Sequence, residues 1–262
     1  MEFCPIASGS SGNALYAGYG DTRVLIDAGI SCARIEAGLR EIGADPRGLS
    51  AILITHEHHD HVAGAGALSR RYGLPVYATR AAWLAAGGRI GAIPVKNMRE
   101  FEPGQSFFIG RMEIAPFRTP HDAADPVGFA IYAGRRKLCV ATDIGCAQKG
   151  WMAEAAGADI LLIESNHDLD MLREGPYPPA LKRRILGKRG HLSNVAAGEA
   201  VAALCAGGVR RVILGHLSGE NNAPRLAYEA VARALAAAGF GDGDVALSVA
   251  HRDRRSELCV AE

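Results

Sequence analysis

Short apolar runs punctuate a largely polar background along the chain: RVLID (23–27), AILIT (51–55), KLCVAT (137–142), DILLIE (159–164) and RVILG (211–215). Runs this short, rich in Val, Ile and Leu and bounded by polar or glycine residues, predict buried strands. Several end on or beside a polar residue, namely Asp27, Thr55, Asp143, Glu164 or His216. In a sheet covered by helices, strand ends are where loops are free to carry chemistry. Between the runs lie helical start and stop signals. SCARIEAGLREIG opens on Ser31 as an N-cap and closes at Gly43; SNVAAGEAVAALCAGG opens on Ser193 or Asn194 and stops at Gly207 and Gly208; APRLAYEAVARALAAAGF carries Pro224 in its first turn and Gly239 at its end. VAGAGALSRRYG reads as a further helix after the second run. A block of residues 93–142 instead alternates strand-like pieces (QSFFIG, MEIAPF, VGFAIYAG) with turns. Strand-rich and helix-rich stretches thus alternate twice, which predicts two similar halves within one domain spanning 1–262.

Composition adds bounds. With 48% hydrophobic and 22% charged residues among 262, the chain has ordinary globular make-up and enough length for a sizeable core. The start, MEFCPIASGSSGNALYA, lacks the basic and apolar regions of a signal peptide, and no run approaches the roughly 18 apolar residues of a spanning helix. The expectation is a soluble, cytoplasmic protein with no membrane partner. Its six cysteines form no C-x-x-C pair and read as free thiols in a reducing compartment. A net charge of +1 leaves a nucleic-acid partner to a local patch. Residues 173–189 supply one: Arg173, Lys182, Arg183, Arg184, Lys188 and Arg189 face a single acid, Glu174.

The densest chemistry is THEHHDH (55–61). If the strand ends near Thr55, two-residue alternation points His56 and His58 the same way, where two imidazoles clasp one metal. Asp60 and His61 follow as the chain curls into the helix and face a second ion, while Glu57 and His59 point away. Further ligands stand in matching contexts: His121 in RTPHDAADPVGF, Asp143 after KLCVAT and His216 after RVILG. Asp143 is the natural bridge, His121 completes the first site and His216 the second. This predicts two divalent metal ions, zinc or manganese, and hydrolysis by a bridging hydroxide that Asp60 helps to orient. Upstream, ASGSSGN (7–13) is either a phosphate-binding nest built on Ser10, Ser11 and Asn13 or a plain hairpin turn.

The order H-x-H-x-D-H, then His, Asp and His on successive strands, resembles the metallo-β-lactamase-fold hydrolases. That resemblance implies an α/β fold, a four-layer αββα sandwich of two mixed β-sheets with flanking helices. The superfamily cleaves lactams, thioesters and phosphodiesters, so the fold leaves the substrate open. IESNHD (163–168) with RGHLSN (189–194) is similar to the nuclease branch, including the transfer-RNA 3′-processing endonucleases. The likeness implies that Glu164 pairs with His191 and that His191 protonates the leaving oxygen; the branch's HST stands here as HLS, which leaves the part of Ser193 open. SGSSGNALY, LIDAGIS, THEHHDHVAG, HDAADPVGFAI, ESNHD with MLREGPYP, and GHLSN with GHLSGENN together resemble the YycJ/WalJ group of bacterial metallo-hydrolases. This implies a cytoplasmic, metal-dependent exonuclease acting 5′-to-3′ on double-stranded DNA, with His167 near the site. Arg183, Arg184, Lys188, Arg189 and Ser193, beside His191, are then expected to hold phosphates that flank the scissile one. The alternatives are an RNA-processing nuclease of the same superfamily, a small-molecule cyclic phosphodiesterase or thioesterase, and a non-catalytic binding protein.

Overall fold

The computed structural model describes residues 1–261. Strands β1 (Glu2–Ala7), β2 (Ala14–Tyr19) and β3 (Thr22–Ile26) form an antiparallel meander. Helix α1 (Cys32–Glu41) then carries the chain across to β4 (Ala51–Leu53). Helices α2 (His59–Val62) and α3 (Ala65–Tyr72) lead to β5 (Val76–Ala78), and α4 (Arg80–Ala86) to β6 (Met98–Glu100). β3 to β6 pair in parallel, as crossover connections require. The second half repeats the plan. β7 (Phe107–Ile109), β8 (Met112–Arg118), β9 (Val127–Ala133) and β10 (Arg136–Ala141) are antiparallel. After α5 (Lys149–Ala155), β11 (Ile160–Glu164) joins β10 in parallel. Helices α6 (Leu169–Glu174), α7 (Pro179–Ile185) and α8 (Asn194–Ala206) precede β12 (Arg211–Gly215), and α9 (Pro224–Ala237) precedes β13 (Ala246–Val249). Both strands again add in parallel, and β14 (Cys259–Val260) returns to pair with β1. Two seven-stranded mixed sheets result.

Side-chain parity shows why they stack. Val24 and Ile26 of β3, Ala51 and Leu53 of β4, Leu138 and Val140 of β10, and Ile160 and Leu162 of β11 share one apolar core between the sheets. The intervening Leu25 and Ile52 pack under the first half's helices, and Cys139, Ala141, Leu161 and Ile163 under the second half's. Strands apolar on both faces must be covered on both faces, which yields the four layers implied by the resemblance.

The strand ends are abrupt. Asp27, Asp143 and His216 adopt left-handed backbone (φ 59, 55 and 55) just past β3, β10 and β12, the sole non-glycine positions among the described residues to do so. Such conformations cost energy and cluster where a side chain must be aimed. Here they turn two carboxylates and an imidazole into the space beyond the parallel strands. The helix expected at 62–73 begins earlier, with His58 at its N-cap position and His59 to His61 inside the short α2. Ser31 and Ser193 cap α1 and α8, their hydroxyls accepting from Arg34 N (3.4 Å) and Ala196 N (3.2 Å). No helix among the described residues is long and apolar enough to cross a membrane.

Candidate metal centre and substrate cleft

From the loop after β4, His56 Nε2 lies 2.9 Å from His58 Nδ1, and His121 Nε2 lies 3.4 Å from the same atom. The outer nitrogens are tied back: His56 Nδ1 to Thr55 Oγ1 at 3.0 Å and His121 Nδ1 to the Gly190 carbonyl at 3.0 Å. A second triad forms beside the first. His61 Nε2 is 3.3 Å from Asp60 Oδ2 and His216 Nε2 is 3.5 Å from it. Their outer nitrogens rest on buried carboxylates, His61 Nδ1 on Asp27 at 2.7 Å and His216 Nδ1 on Glu164 at 2.7 Å. Asp143 stands between the triads, 3.3 Å from His61 Nε2 through one oxygen, and 3.5 and 3.6 Å from His121 and His216 through the other. Tethering the far ring nitrogen fixes each imidazole's tautomer and aim, the outer support usual for metal-binding histidines.

This donor set fits divalent cations. Within each triad the ligand atoms lie within 4.8 Å of one another. His216 Nε2 and Asp143 Oδ2 are buried with no hydrogen-bond partner among the described residues, a costly state unless something binds there. Burial, reinforced by the charge of His61, holds the His56 imidazole well below its ordinary pKa, so it is neutral and free to ligate. Burial pulls His216 down as well, but Asp143, Asp60 and Glu164 outweigh it and lift it to about 10. Ligation takes the neutral imidazole, so cation binding at these histidines is linked to proton release.

The centre floors a cleft of about 410 Å³. Ser10, Asn166 and Ser218, together with Tyr177, Leu181, Arg184 and Ile185, line it. His191 projects into it, its Nδ1 2.8 Å from the Glu164 oxygen that also holds His216. Glu164's second oxygen accepts from Ile144 N and Leu192 N at 2.8 and 3.1 Å. Burial raises the Glu164 pKa, yet the His191 and His216 interactions hold it down to about 2. Burial likewise lowers His191, but Glu164's charge and hydrogen bond lift it above the ordinary histidine value.

Seven expected ligands thus meet, and Glu164 pairs with His191. The expected substrate contacts divide. Ser10 lines the cleft, and its hydroxyl accepts from Asn166 Nδ2 at 3.3 Å. Ser11 is exposed and outside it. Asn13 is buried, its amide bonded to Gly9 N and O at 3.0 and 3.1 Å and 3.2 Å from His61 Nε2; it holds the hairpin against the metal loop instead of facing a phosphate. Ser193 is occupied as the α8 cap, and His167 is buried behind the cleft with neither ring nitrogen partnered. In the basic run, helical phase decides: Leu181, Arg184 and Ile185, at i, i+3 and i+4, face the cleft, while Arg183 and Lys188 are exposed outside it. Arg189 turns to the carbonyls of His121 (3.0 Å) and Ala123 (3.4 Å). Arg184 is hydrogen-bonded to Asp122, so the cleft is lined by three aspartates, Asp60, Asp122 and Asp143, against one paired arginine. Of the basic run expected to hold flanking phosphates, Arg184 alone lines the cleft among the described residues. Glu57 accepts from Ala124 N (3.1 Å) and anchors the His121 loop, whereas His59, expected to point away, lines the cleft mouth.

Asp27, Asp122 and Tyr177 were not assigned to the site from sequence. Asp27 carried a signal, a polar residue ending an apolar run; Tyr177 lies in MLREGPYP (171–178), a segment that carries the group resemblance but gave it no role. Gly29, two residues after Asp27, is required because any Cβ there would collide with the Asp60 carbonyl.

This fold and centre define a class: the β-lactamase superfamily domain model matches residues 22–217, and the chain belongs to that family. More particularly, it is 40% identical over 244 residues to the exodeoxyribonuclease YycJ of Bacillus anthracis, covering 93% of this chain and 92% of that one. It is 38% identical over 245 residues to the exodeoxyribonuclease WalJ of Streptococcus pneumoniae, covering 93% and 91%. The metallo-β-lactamase fold protein YhfI of Bacillus subtilis superposes with a TM-score of 0.72 at 18% identity, over 97% of this chain and 98% of that one.

Proposed function

We propose that the protein is a metal-dependent exodeoxyribonuclease that removes nucleotides 5′-to-3′ from double-stranded DNA. The relatedness to YycJ and WalJ over nine-tenths of the chain supports DNA as substrate. The observation that carries a phosphodiester reading is His191, an imidazole held by Glu164 at 2.8 Å and facing the cleft beside the triads. Departure of an alkoxide needs a proton donor charged near neutral pH, which this pairing supplies.

His56, His58, His121 and Asp143 would hold one divalent cation, and Asp60, His61, His216 and Asp143 a second, zinc or manganese. Bound there, such ions supply a Lewis acid and bring the pKa of water toward about 7, a nucleophile at neutral pH. Asp60, its side chain 25% exposed, accepts a hydrogen bond from the attacking water and aims it at phosphorus. As the P–O bond breaks, His191 passes its proton to the leaving oxygen, and Glu164 stabilises the imidazolium beforehand and orients the ring throughout.

End-labelled single- and double-stranded DNA and RNA, incubated with zinc- or manganese-loaded protein, test this. The expected result is stepwise loss from the 5′ end of duplex DNA, abolished by chelator. Cleavage of RNA alone, or internal DNA cuts, sinks the reading.

A further inference from the structure

With Arg184 the one member of the basic run lining the cleft, what holds the phosphates beyond the scissile one? Arg184 is engaged by Asp122, and Arg189 by two carbonyls. Ser10 and Ser218 also line the cleft, and their hairpin and loop are joined by a parallel bridge between Gly9 and Leu217. The chain after β13 comes back over this junction: the His251 carbonyl accepts from Ser8 N at 3.0 Å, and Arg252 follows.

Arg252 lies across two glycines that flank those cleft-lining serines. A Cβ on Gly9 would stand 2.8 Å from Arg252 Cγ, and one on Gly219 would collide with its Nη1. The absent side chains leave a trough, with the arginine stem over Gly9 and the guanidinium over Gly219. Two residues of a different part of the chain must lack side chains for this arginine to lie flat at the rim. Arg255 in the same loop is paired with Glu41 at 3.2 Å, whereas Arg252 is exposed and has no carboxylate or carbonyl partner among the described residues. The position lies beyond the segment matched by the family model, which ends at residue 217.

We propose that Arg252, laid over Gly9 and Gly219, is a phosphate-binding group for the nucleic-acid backbone, just outside the cleft beside its lining residues Ser10 and Ser218. The inference rests on the nuclease reading and adds to it a strand path that leaves the metal centre past Ser10 and Ser218. A guanidinium is suited to this, since its planar fork matches phosphate oxygens and it stays charged at every working pH. Being a backbone contact, it strengthens binding without reading sequence.

The test is equilibrium binding of manganese-loaded protein to a 5′-labelled phosphorothioate duplex, followed by fluorescence anisotropy across a salt series, with metal content and melting temperature recorded for each variant. Arg252→Ala is expected to weaken binding equally for unrelated sequences and to lower the slope of log Kd against log salt by about 0.9, the loss of one phosphate contact. Arg252→Lys keeps the charge and restores most of that slope. Gly219→Ala keeps the arginine but displaces its guanidinium, and is expected to weaken binding. A wild-type slope in Arg252→Ala overturns the inference alone, as does wild-type affinity in Gly219→Ala. A wild-type protein that binds no duplex in this assay overturns the nuclease reading and the inference together.

Discussion

The two sheets supply the centre in opposite ways. The first contributes His56, His58, Asp60 and His61 from a single loop, so one backbone conformation after β4 sets four donors at once. The second contributes His121, Asp143, Glu164, His191 and His216 from separate strand ends and loops, brought together only by the sheet. The first half is therefore secured locally. The second depends on long-range register and on shared carboxylates, with Asp143 reaching both triads and Glu164 reaching both His216 and His191. Damage at a shared carboxylate should spread further than damage of equal size in the loop.

Asp143→Ala tests that most severely. Removing the group between the triads is expected to lower metal content from two ions per chain and reduce DNA cleavage by at least about 10⁴-fold, beyond the loss of a single proton donor. Metal analysis beside single-turnover cleavage reads both. Retention of two ions with normal cleavage would deny Asp143 its place between the halves.

His191→Gln is next. Metal content is expected to stay near two ions while kcat falls about 10²–10⁴-fold. The pH profile separates a proton donor from a bystander. Because the fold raises this imidazole above the ordinary value, its proton and its charged pair with Glu164 persist at neutral pH and are lost as pH rises through the raised pKa. Wild-type turnover should decline on that alkaline side, and the variant's should not. The same limb in both proteins would reassign the proton donor.

How far each half was legible follows from the same contrast. Four ligands in THEHHDH needed only residue types and two-residue alternation. His121, Asp143 and His216 were legible because each follows an apolar strand, a position that a helix-covered parallel sheet reserves for chemistry. The layers were legible from β3, β4, β10 and β11, whose unbroken apolar runs demand cover on both faces. Short elements such as β5, β6, α6 and α7 hold too few residues for a period to emerge. That is why the basic run was not resolved residue by residue: without the phase of α7, nothing distinguished Arg184 from Arg183. Asn13 and Ser193 misled for another reason, since small polar side chains satisfy a nearby backbone group as readily as a phosphate.

A milder comparison sets the two outer carboxylates against each other. Asp27 supports His61 at 2.7 Å and also accepts from Thr55 N at 2.8 Å, but touches no proton donor. Asp27→Asn should lower metal affinity about 10–100-fold, with kcat recovering at saturating metal. Glu164→Gln disturbs His216 and His191 together, so its kcat should stay low however much metal is added. Titrating activity against free manganese discriminates them. Recovery of both would make Glu164 a metal-support residue only.

The smallest effect belongs to Ser193. Its Oγ accepts from Ala196 N at 3.2 Å, and its backbone bridges to His167, so it secures the start of α8, the helix that immediately follows His191. Loss of such a cap costs about 1 kcal/mol, which in a chain of this size lowers Tm by roughly 2–4 °C. Ser193→Ala should show that shift with KM for duplex DNA unchanged. Were the hydroxyl instead a phosphate contact, KM would rise and the salt slope of binding would fall while Tm held. Thermal unfolding and DNA titration on one preparation therefore decide whether the second half's loop meets its substrate through His191 without Ser193.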